Sequence, residues 1–414
     1  MASVTDLDSA LDALLHFSGR RSRGHSAIET LGALLDHLGN PERTYRLVHV
    51  AGTSGKTSTA YLIRALLESA GFRTGLTVSP HVVAVNERVQ VGGIPVPEDR
   101  FVAYVREFLP LASSLGRELT YFELGVGLAL WVFAQEKVEY AVVEVGIGGT
   151  RDATNALQDP DKLCVVSAVG LDHTDLLGDS VDAIATHKAG IVGEGNTVVV
   201  VDQDEVVMAV VRARAKEVGG RVVVVTPPAG ARYQERNLAL ARGAVEELGR
   251  RYGFVAPPID ADAYTPPGRY ERFDVDGRAL ILDGAHNPQK MAGLVESLQA
   301  DGLTRVAVLA TLLQAPDTKL AATLAVLAPV VGHLIVPEYT LGDGDKVKQS
   351  FPVEVVVEQA RAMGIEAESV RTPAEGLELL LRRPEQGLVV TGSLYLASLV
   401  RPLVADQPHL TTPA

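Results

Sequence analysis

The sequence predicts an α/β protein with two domains: a larger N-terminal domain on a mainly parallel sheet and a smaller C-terminal α/β domain with its own sheet. Three observations predict it. Short β-branched runs alternate with helix-length stretches along most of the chain, and strands separated by helices imply right-handed crossovers and parallel pairing. At 414 residues the chain exceeds what one ordinary core absorbs. The alternation also breaks at Ala263-Tyr264-Thr265-Pro266-Pro267-Gly268, where two prolines and a glycine stop regular structure. We therefore expect domains over 1–267 and 268–414, with a hinge at about 263–268.

Taken in order, a strand is predicted over 47–50, then Gly-rich punctuation and an amphipathic helix from Lys56 to about Ala70. A helical pattern over 122–135 leads into a strand over 140–145. Further β-branched runs fall at 163–169, 197–201 and 221–225. Beyond the break come a strand over 279–282, a helix from Pro288, a strand over 305–310, another helix, and strands over 333–336 and 387–390. The polar, Gly-rich stretch 339–351 reads as a mobile surface loop.

Composition narrows the function classes. Hydrophobic residues make up 47% and charged residues 21%, as in globular proteins. Aromatics are only 5%, so Ala, Val, Leu and Gly carry the apolar content, which suits helices packed on buried parallel strands. With 51 acidic against 38 basic side chains the formal charge is −13, which argues against a general nucleic-acid surface. A local basic pocket for an anionic substrate remains compatible with that envelope. The single cysteine, Cys164, excludes an intrachain disulfide and a cysteine-rich zinc site, and its apolar run marks it as a buried strand thiol. There is no basic head followed by an apolar core at the start, and no run near the roughly 20 apolar residues that span a bilayer. The expectation is a cytoplasmic protein without membrane or nucleic-acid partners.

The strongest local signal is Gly52-Thr53-Ser54-Gly55-Lys56-Thr57-Ser58, set between a predicted strand and helix. Glycines let backbone N–H groups point into a phosphate at the positive end of the helix. Lys56 reaches outer phosphates and Thr57 is placed as a magnesium ligand. The usual pattern wants a glycine five residues before Gly55, where this chain has Val50. That departure points away from motor-type and switch-type hydrolases.

The shortened loop is similar to that of the Mur ligase superfamily, and the resemblance extends along residues 47 to about 396. Ser79-Pro80-His81 with Asn86-Glu87-Arg88, Thr120-Tyr121-Phe122-Glu123, and Glu144-Val145-Gly146-Ile147-Gly148-Gly149 running into Asp152-Ala153-Thr154-Asn155 follow in order. Then come Asp172-His173, Lys188-Ala189-Gly190-Ile191, Gln234 with Asn237, Pro267-Gly268-Arg269, Asp283-Gly284-Ala285-His286-Asn287-Pro288 and Thr391-Gly392-Ser393-Leu394-Tyr395. This ordered set resembles the folylpolyglutamate synthase/dihydrofolate synthase family. The fold the resemblance implies is a P-loop, Mur ligase-like ATPase domain followed by a Rossmann-like glutamate-ligase domain.

The resemblance implies an ATP-dependent ligase that adds L-glutamate to a folate, or to dihydropteroate, through an acyl phosphate, acting as a monomer. It implies ATP contacts at Gly52, Thr53, Ser54, Gly55, Lys56, Thr57, Ser58, Asn237, Arg269 and Asp283. Thr57, Ser79, Glu144, His173 and Lys188 are the implied holders of two magnesium ions, Lys188 as a carbamate. Thr120, Phe122, Glu123, Arg151, Asp152 and Ala153 are the implied acceptor contacts, and Lys56, Lys188, Arg269 and His286 the implied catalytic set. Some of this chemistry is readable without the family. Glu144 ends a strand before a glycine run, where a carboxylate can hold a hard cation. His173 follows another strand, at the end of the sheet where open α/β proteins collect ligands. Arg269 is a planar permanent cation suited to a transferring phosphoryl group, or else the ion-pair partner of Glu271. His286 and Asn287 fall at a strand-to-helix junction, expected to face the cleft between the domains.

Two positions depart from the pattern. His187 stands where a glutamate is expected, and Arg151 is displaced by one residue from the second glycine. Arg20, Arg21 and Arg23 offer either an anion contact or a solvated basic patch. Two other readings stay open: a Mur-type ligase for a cell-wall peptide or other amino-acid polymer, and a nucleotide-gated binding protein.

Overall fold

The run Arg46–Ala51 (β1) has all but its first residue buried, because helices cover both faces of the sheet it centres. Val48 and Val50 point to one core, with Ile63, Leu66, Val142 and Val165, while Leu47 points to the other, with Ala141 and Val143. The computed structural model describes residues 4–16, 26–314, 317–343 and 346–405. It divides into two compact units, Met1–Tyr264 and Thr265–Ala414.

In unit 1, α1 (Leu7–Leu15) and α2 (Ala27–His37) precede β1, and α3 (Lys56–Ser69) follows it. Then come β2 (Thr74–Thr77), the short strands β3 (Gln90–Val91) and β4 (Ile94–Pro95), α4 (Glu98–Ser114), α5 (Tyr121–Gln135) and β5 (Tyr140–Glu144). The unit continues with β6 (Leu163–Val166), α6 (Thr174–Leu177), α7 (Val181–Ala189), β7 (Thr197–Val201), α8 (Glu205–Glu217), β8 (Arg221–Val225) and α9 (Tyr233–Tyr252). The strand order is β4-β3-β2-β5-β1-β6-β7-β8, parallel from β2 to β8 with β3 and β4 antiparallel at one edge. β1 thus lies between β5 and β6, so the ends of these three strands meet where the order of connection reverses. Ligands of open α/β sheets gather at that place.

Unit 2 has β9 (Glu271–Val275), β10 (Arg278–Leu282), α10 (Pro288–Ala300), β11 (Val306–Ala310), α11 (Asp317–Leu327) and β12 (Val331–Pro337). There follow β13 (Thr340–Asp343), β14 (Lys346–Gln349), α12 (Val353–Ala362), β15 (Ala367–Val370), α13 (Pro373–Leu381), β16 (Gly387–Thr391) and α14 (Leu394–Ala405). Its sheet runs β15-β12-β11-β16-β10-β9, with β9 alone antiparallel.

Two expectations change. The stretch 339–351, read as a loop, carries the antiparallel pair β13–β14, with Thr340 opposite Gln349. β6 stops at Val166 rather than at 169, because the next residues turn to the phosphate loop: Thr53 and Ser54 both donate backbone N–H to Ala168 O, at 2.8 and 3.1 Å. Arg20, Arg21 and Arg23 lie outside the described residues. Cys164 is a fully buried strand thiol, as its surroundings predict.

Candidate active site

The loop after β1 owes its shape to two glycines. Gly52 has φ 153°, and a Cβ there would lie 1.9 Å from Ser167 Oγ; Gly55 has φ 85°, and a Cβ there would lie 2.3 Å from Asn237 Oδ1. Both are close approaches that a side chain forbids. Ser167 then donates its hydroxyl to Ser54 O at 2.8 Å, and Thr53 donates its own to Gly170 O at 3.0 Å. Sequence reasoning did not single out Ser167 or Gly170. The signal was an apolar run that outlasts its strand.

Gly55 caps α3 in a left-handed conformation and supplies no side-chain cap. The first N–H groups of Lys56, Thr57 and Ser58 therefore face outward at the positive end of a 14-residue helix, a ready site for phosphate. Asn237, on α9, is buried against Gly55 with its Nδ2 lacking a partner, and Ser54 Oγ is likewise buried and unpartnered. Buried polar atoms left in this state are what a bound polar ligand satisfies.

Thr57 donates Oγ1–H to the Glu144 carboxylate, 2.9 Å from Oε1 and 3.1 Å from Oε2. Ser79 N–H points to Glu144 Oε2 at 3.4 Å. Glu144 is 4% exposed, so its carboxyl sits in low dielectric at the ends of β1, β2 and β5. Among the described residues no group of three or more His, Cys, Asp or Glu side chains could hold a metal by itself. The hydroxyl and carboxylate donors here instead fit magnesium, which binds through one or two carboxylates, waters and phosphate oxygens. His173 stands exposed at the head of α6 with φ 50°. Lys188, at the end of α7, is 4% exposed and donates from Nζ to Gly52 O at 2.8 Å.

The loop after β5 is built around Asp152. Its Oδ2 accepts from Ile147 N at 2.9 Å and its Oδ1 from Thr154 N at 3.0 Å. Burial raises its pKa, opposed by these bonds and by the Lys56 charge. Ala153 is buried beside it, Arg151 is exposed, and Thr150 donates N–H to His187 O at 2.8 Å. The His187 ring is held below its ordinary pKa by partial burial and by the Arg151 and Lys188 charges, so this position carries a neutral group rather than a carboxylate.

Thr120 and Glu123 form a capping box on α5: Glu123 Oε2 accepts from Thr120 N at 2.8 Å, and Thr120 Oγ1 accepts from Glu123 N at 3.3 Å. Burial raises the Glu123 pKa. The box fixes Phe122, whose ring packs against Gly146, where a Cβ would come within 2.6 Å of it. Tyr121 lies under the Arg88 guanidinium at 5.0 Å, and Arg88 donates to His81 Nδ1 at 2.8 Å.

In unit 2, Asp283 accepts from Tyr270 N and Ala285 N, each at 2.8 Å. Arg269 lies against Gly284, whose added Cβ would meet its Nη1 at 2.8 Å. Glu271 is taken by Arg401, at 2.9 and 3.0 Å, and by the Gly268 N–H. His286 Nδ1 lies 2.7 Å from Gly284 O and its Nε2 3.1 Å from Lys290 Nζ. A carbonyl on one side and an ammonium on the other select the neutral Nδ1–H tautomer.

Known proteins resemble this chain in sequence and fold. The Mur ligase middle domain family matches residues 50–247. The folylpolyglutamate synthase of Lacticaseibacillus casei is 31% identical, over 89% of this chain and 92% of its own length. The Mycobacterium tuberculosis folylpolyglutamate synthase, solved with ADP and AMPPCP, superposes with a TM-score of 0.80 at 27% identity, covering 96% of this chain and 100% of the other. A bifunctional folylpolyglutamate synthase/dihydrofolate synthase from Yersinia pestis, solved with AMPPNP and a Mn ion, gives 0.78 at 25% identity, covering 97% and 99%. The uncapped helix after β1, the Thr57–Glu144 pair and near full-length similarity together place this chain in the folylpolyglutamate synthase/dihydrofolate synthase family of the Mur ligases.

Proposed function

We propose that this chain joins L-glutamate to a folate at the expense of ATP. The observation that carries the reading is the meeting of the open α3 N-terminus with the Thr57–Glu144 pair, which offers a polyphosphate and its cation one shared address. The acceptor carboxylate attacks the γ-phosphate, giving an acyl phosphate and ADP; the glutamate amine then displaces phosphate to form the amide. This chemistry needs positioning and charge neutralisation more than a protein nucleophile. Gly52 to Ser58 cradle the phosphates with Lys56 on the outer ones, and Asn237 uses its open amide on the nucleotide. Thr57, Ser79, Glu144 and His173 would hold magnesium, which neutralises charge on the phosphates when bound.

Lys188 enters this reading as a carbamate. One N–H survives that modification, so its bond to Gly52 O suits either form, while the added carboxylate would help hold a second cation. Phe122, Arg151, Asp152 and Ala153 line the acceptor side, with Thr120 and Glu123 holding Phe122 in place. Unit 2 serves the glutamate half of the reaction. There Arg269 steadies the transferring phosphoryl group, Asp283 contacts ATP, and His286 acts in its neutral form. Engagement of Glu271 by Arg401 supports the role for Arg269, since the competing ion pair is already taken. The donor set lies on one chain, which suits action as a monomer, and we propose the cytoplasm as its compartment.

The test is glutamate-dependent ATP turnover with tetrahydrofolate and dihydropteroate offered as alternative acceptors. Turnover with either, absent without glutamate, is expected. Turnover with neither, but with a peptide acceptor, would move the assignment to another Mur-type ligase. ATP hydrolysis indifferent to every acceptor would indicate a nucleotide-gated binder.

A further inference from the structure

A hydrogen-bonded chain runs beneath the loop that carries Asp152, and none of the roles above uses its first two members, His49 and Thr154. His49, on β1, is completely buried, and its Nε2 lies 2.9 Å from Thr154 Oγ1. Thr154, equally sealed from solvent, has its Oγ1 2.5 Å from Asp152 Oδ1. The chemistry sets the direction of each bond. Backbone N–H groups of Ile147 and Thr154 reach both Asp152 oxygens, which favours the ionised carboxylate, and a carboxylate only accepts. Thr154 has one hydroxyl proton and gives it to Asp152, so its oxygen must accept from the imidazole. His49 therefore carries its proton on Nε2, and burial with the nearby Lys162 charge keeps its pKa well below the ordinary value. Nδ1 is then a bare acceptor, and it has no partner in the structure.

A buried ring nitrogen without a partner costs stability, a cost that an apolar residue at this strand position avoids. Packing alone does not account for the imidazole. We propose that His49 is a positioning residue for the acceptor site, acting through Thr154 to fix the orientation of the Asp152 carboxylate. Because β1 runs straight into the phosphate loop, the relay also ties the acceptor loop to the strand that leads into the loop before Lys56. The inference rests on the reading of Asp152 as an acceptor contact.

The experiment uses steady-state kinetics of the full chain with ATP, glutamate and tetrahydrofolate. His49→Met removes the donor and keeps apolar bulk, His49→Gln restores an N–H near the Nε2 position, and Thr154→Val removes the hydroxyl at nearly constant shape. His49→Met and Thr154→Val should each raise KM for tetrahydrofolate about tenfold, the size of one net hydrogen bond, with KM for ATP changed less than about twofold. The double variant should do no worse than either single one, and His49→Gln should recover most of the loss. Equal behaviour of His49→Met and His49→Gln, or effects that multiply in the double variant, would overturn the relay. Should His49→Met fail to fold, Thr154→Val carries the test, and an unchanged acceptor KM in it defeats the proposal. Asp152→Asn separates the two ideas. If it leaves acceptor KM unchanged, the reading of Asp152 fails; if it raises KM while Thr154→Val does not, only the relay fails.

Discussion

Each unit has a helix that starts just beyond the carboxyl end of an interior strand of its sheet, β1 in one and β10 in the other, and the two starts are finished differently. In unit 1, α3 begins at Gly55 with no side-chain cap, flanked by a lysine and by the unpartnered amide of Asn237. In unit 2, α10 begins at Asn287, whose Oδ1 accepts from Lys290 N at 2.9 Å, with Pro288 at the first position. Asp283 adds a carboxylate beside that second junction, bonded to the backbone N–H of Tyr270 and Ala285. One N-terminus is left open for an anion, and the other is closed by its own residues. On the function proposed above, the same α/β architecture acquires a phosphate site only where the cap is withheld.

Removing the cation at the open end gives the largest expected effect. Lys56→Ala should lower kcat by about 10²–10³, the usual loss for one electrostatic contact to a developing charge. A purified, folded variant with near wild-type kcat would remove the phosphate-loop assignment and with it the contrast.

The metal comes next. Turnover should require magnesium, and Glu144→Ala should shift the magnesium titration to higher concentration by about tenfold or more, since the variant loses the carboxylate that meets Thr57. His173→Ala should shift it in the same direction. Titrations of both variants that overlay wild type would reject the two side chains as ligands, direct or through water.

Gly55→Ala tests the shape of the loop. The residue needs φ 85°, and the new Cβ would fall 2.3 Å from Asn237 Oδ1, so strain and a displaced amide act together. KM for ATP should rise by about tenfold, on the scale of one or two kcal/mol for a left-handed non-glycine residue. An unchanged ATP KM would mean that Asn237 does not depend on this approach.

How much of this was legible depends on the range of the interaction. The strands at 197–201 and 221–225 could be read to the residue, because each holds an unbroken run of four valines, fully buried in the first and at the sheet edge in the second. β6 was read three residues too long, since Ser167, Ala168 and Val169 continue an apolar run while their backbone serves the phosphate loop. The pair β13–β14 is hard to tell from a loop in the sequence, because alternating Lys346-Val347-Lys348-Gln349 is a weak signal beside the glycines around it. The capping pair Thr120 and Glu123 is spaced by three in the sequence, the spacing that a capping box needs. Contacts such as Asn237 against Gly55, or His49 with Thr154, join residues far apart in the chain. Local periodicity carries no trace of them.

The smallest effect is expected at the closed end, and it is the sharpest test of the contrast. Asn287→Ala deletes the side-chain acceptor for Lys290 N–H, the interaction whose loss typically costs about 1 kcal/mol in a helix N-cap. Part of that is returned, because the same substitution removes Asn287 Nδ2, which is buried without a partner. Pro288 limits the damage further: it has no N–H to leave orphaned and its fixed φ already suits the first turn. The melting temperature should therefore fall by less than the roughly 2–4 °C that 1 kcal/mol produces in a domain of this size. ATP turnover should change far less than in Lys56→Ala. The opposite pattern, an unchanged melting temperature with a marked rise in KM for ATP, would show that the α10 start binds nucleotide despite its cap. The two helix ends would then differ in degree rather than in kind, and the open cap of α3 would no longer explain where the phosphates go.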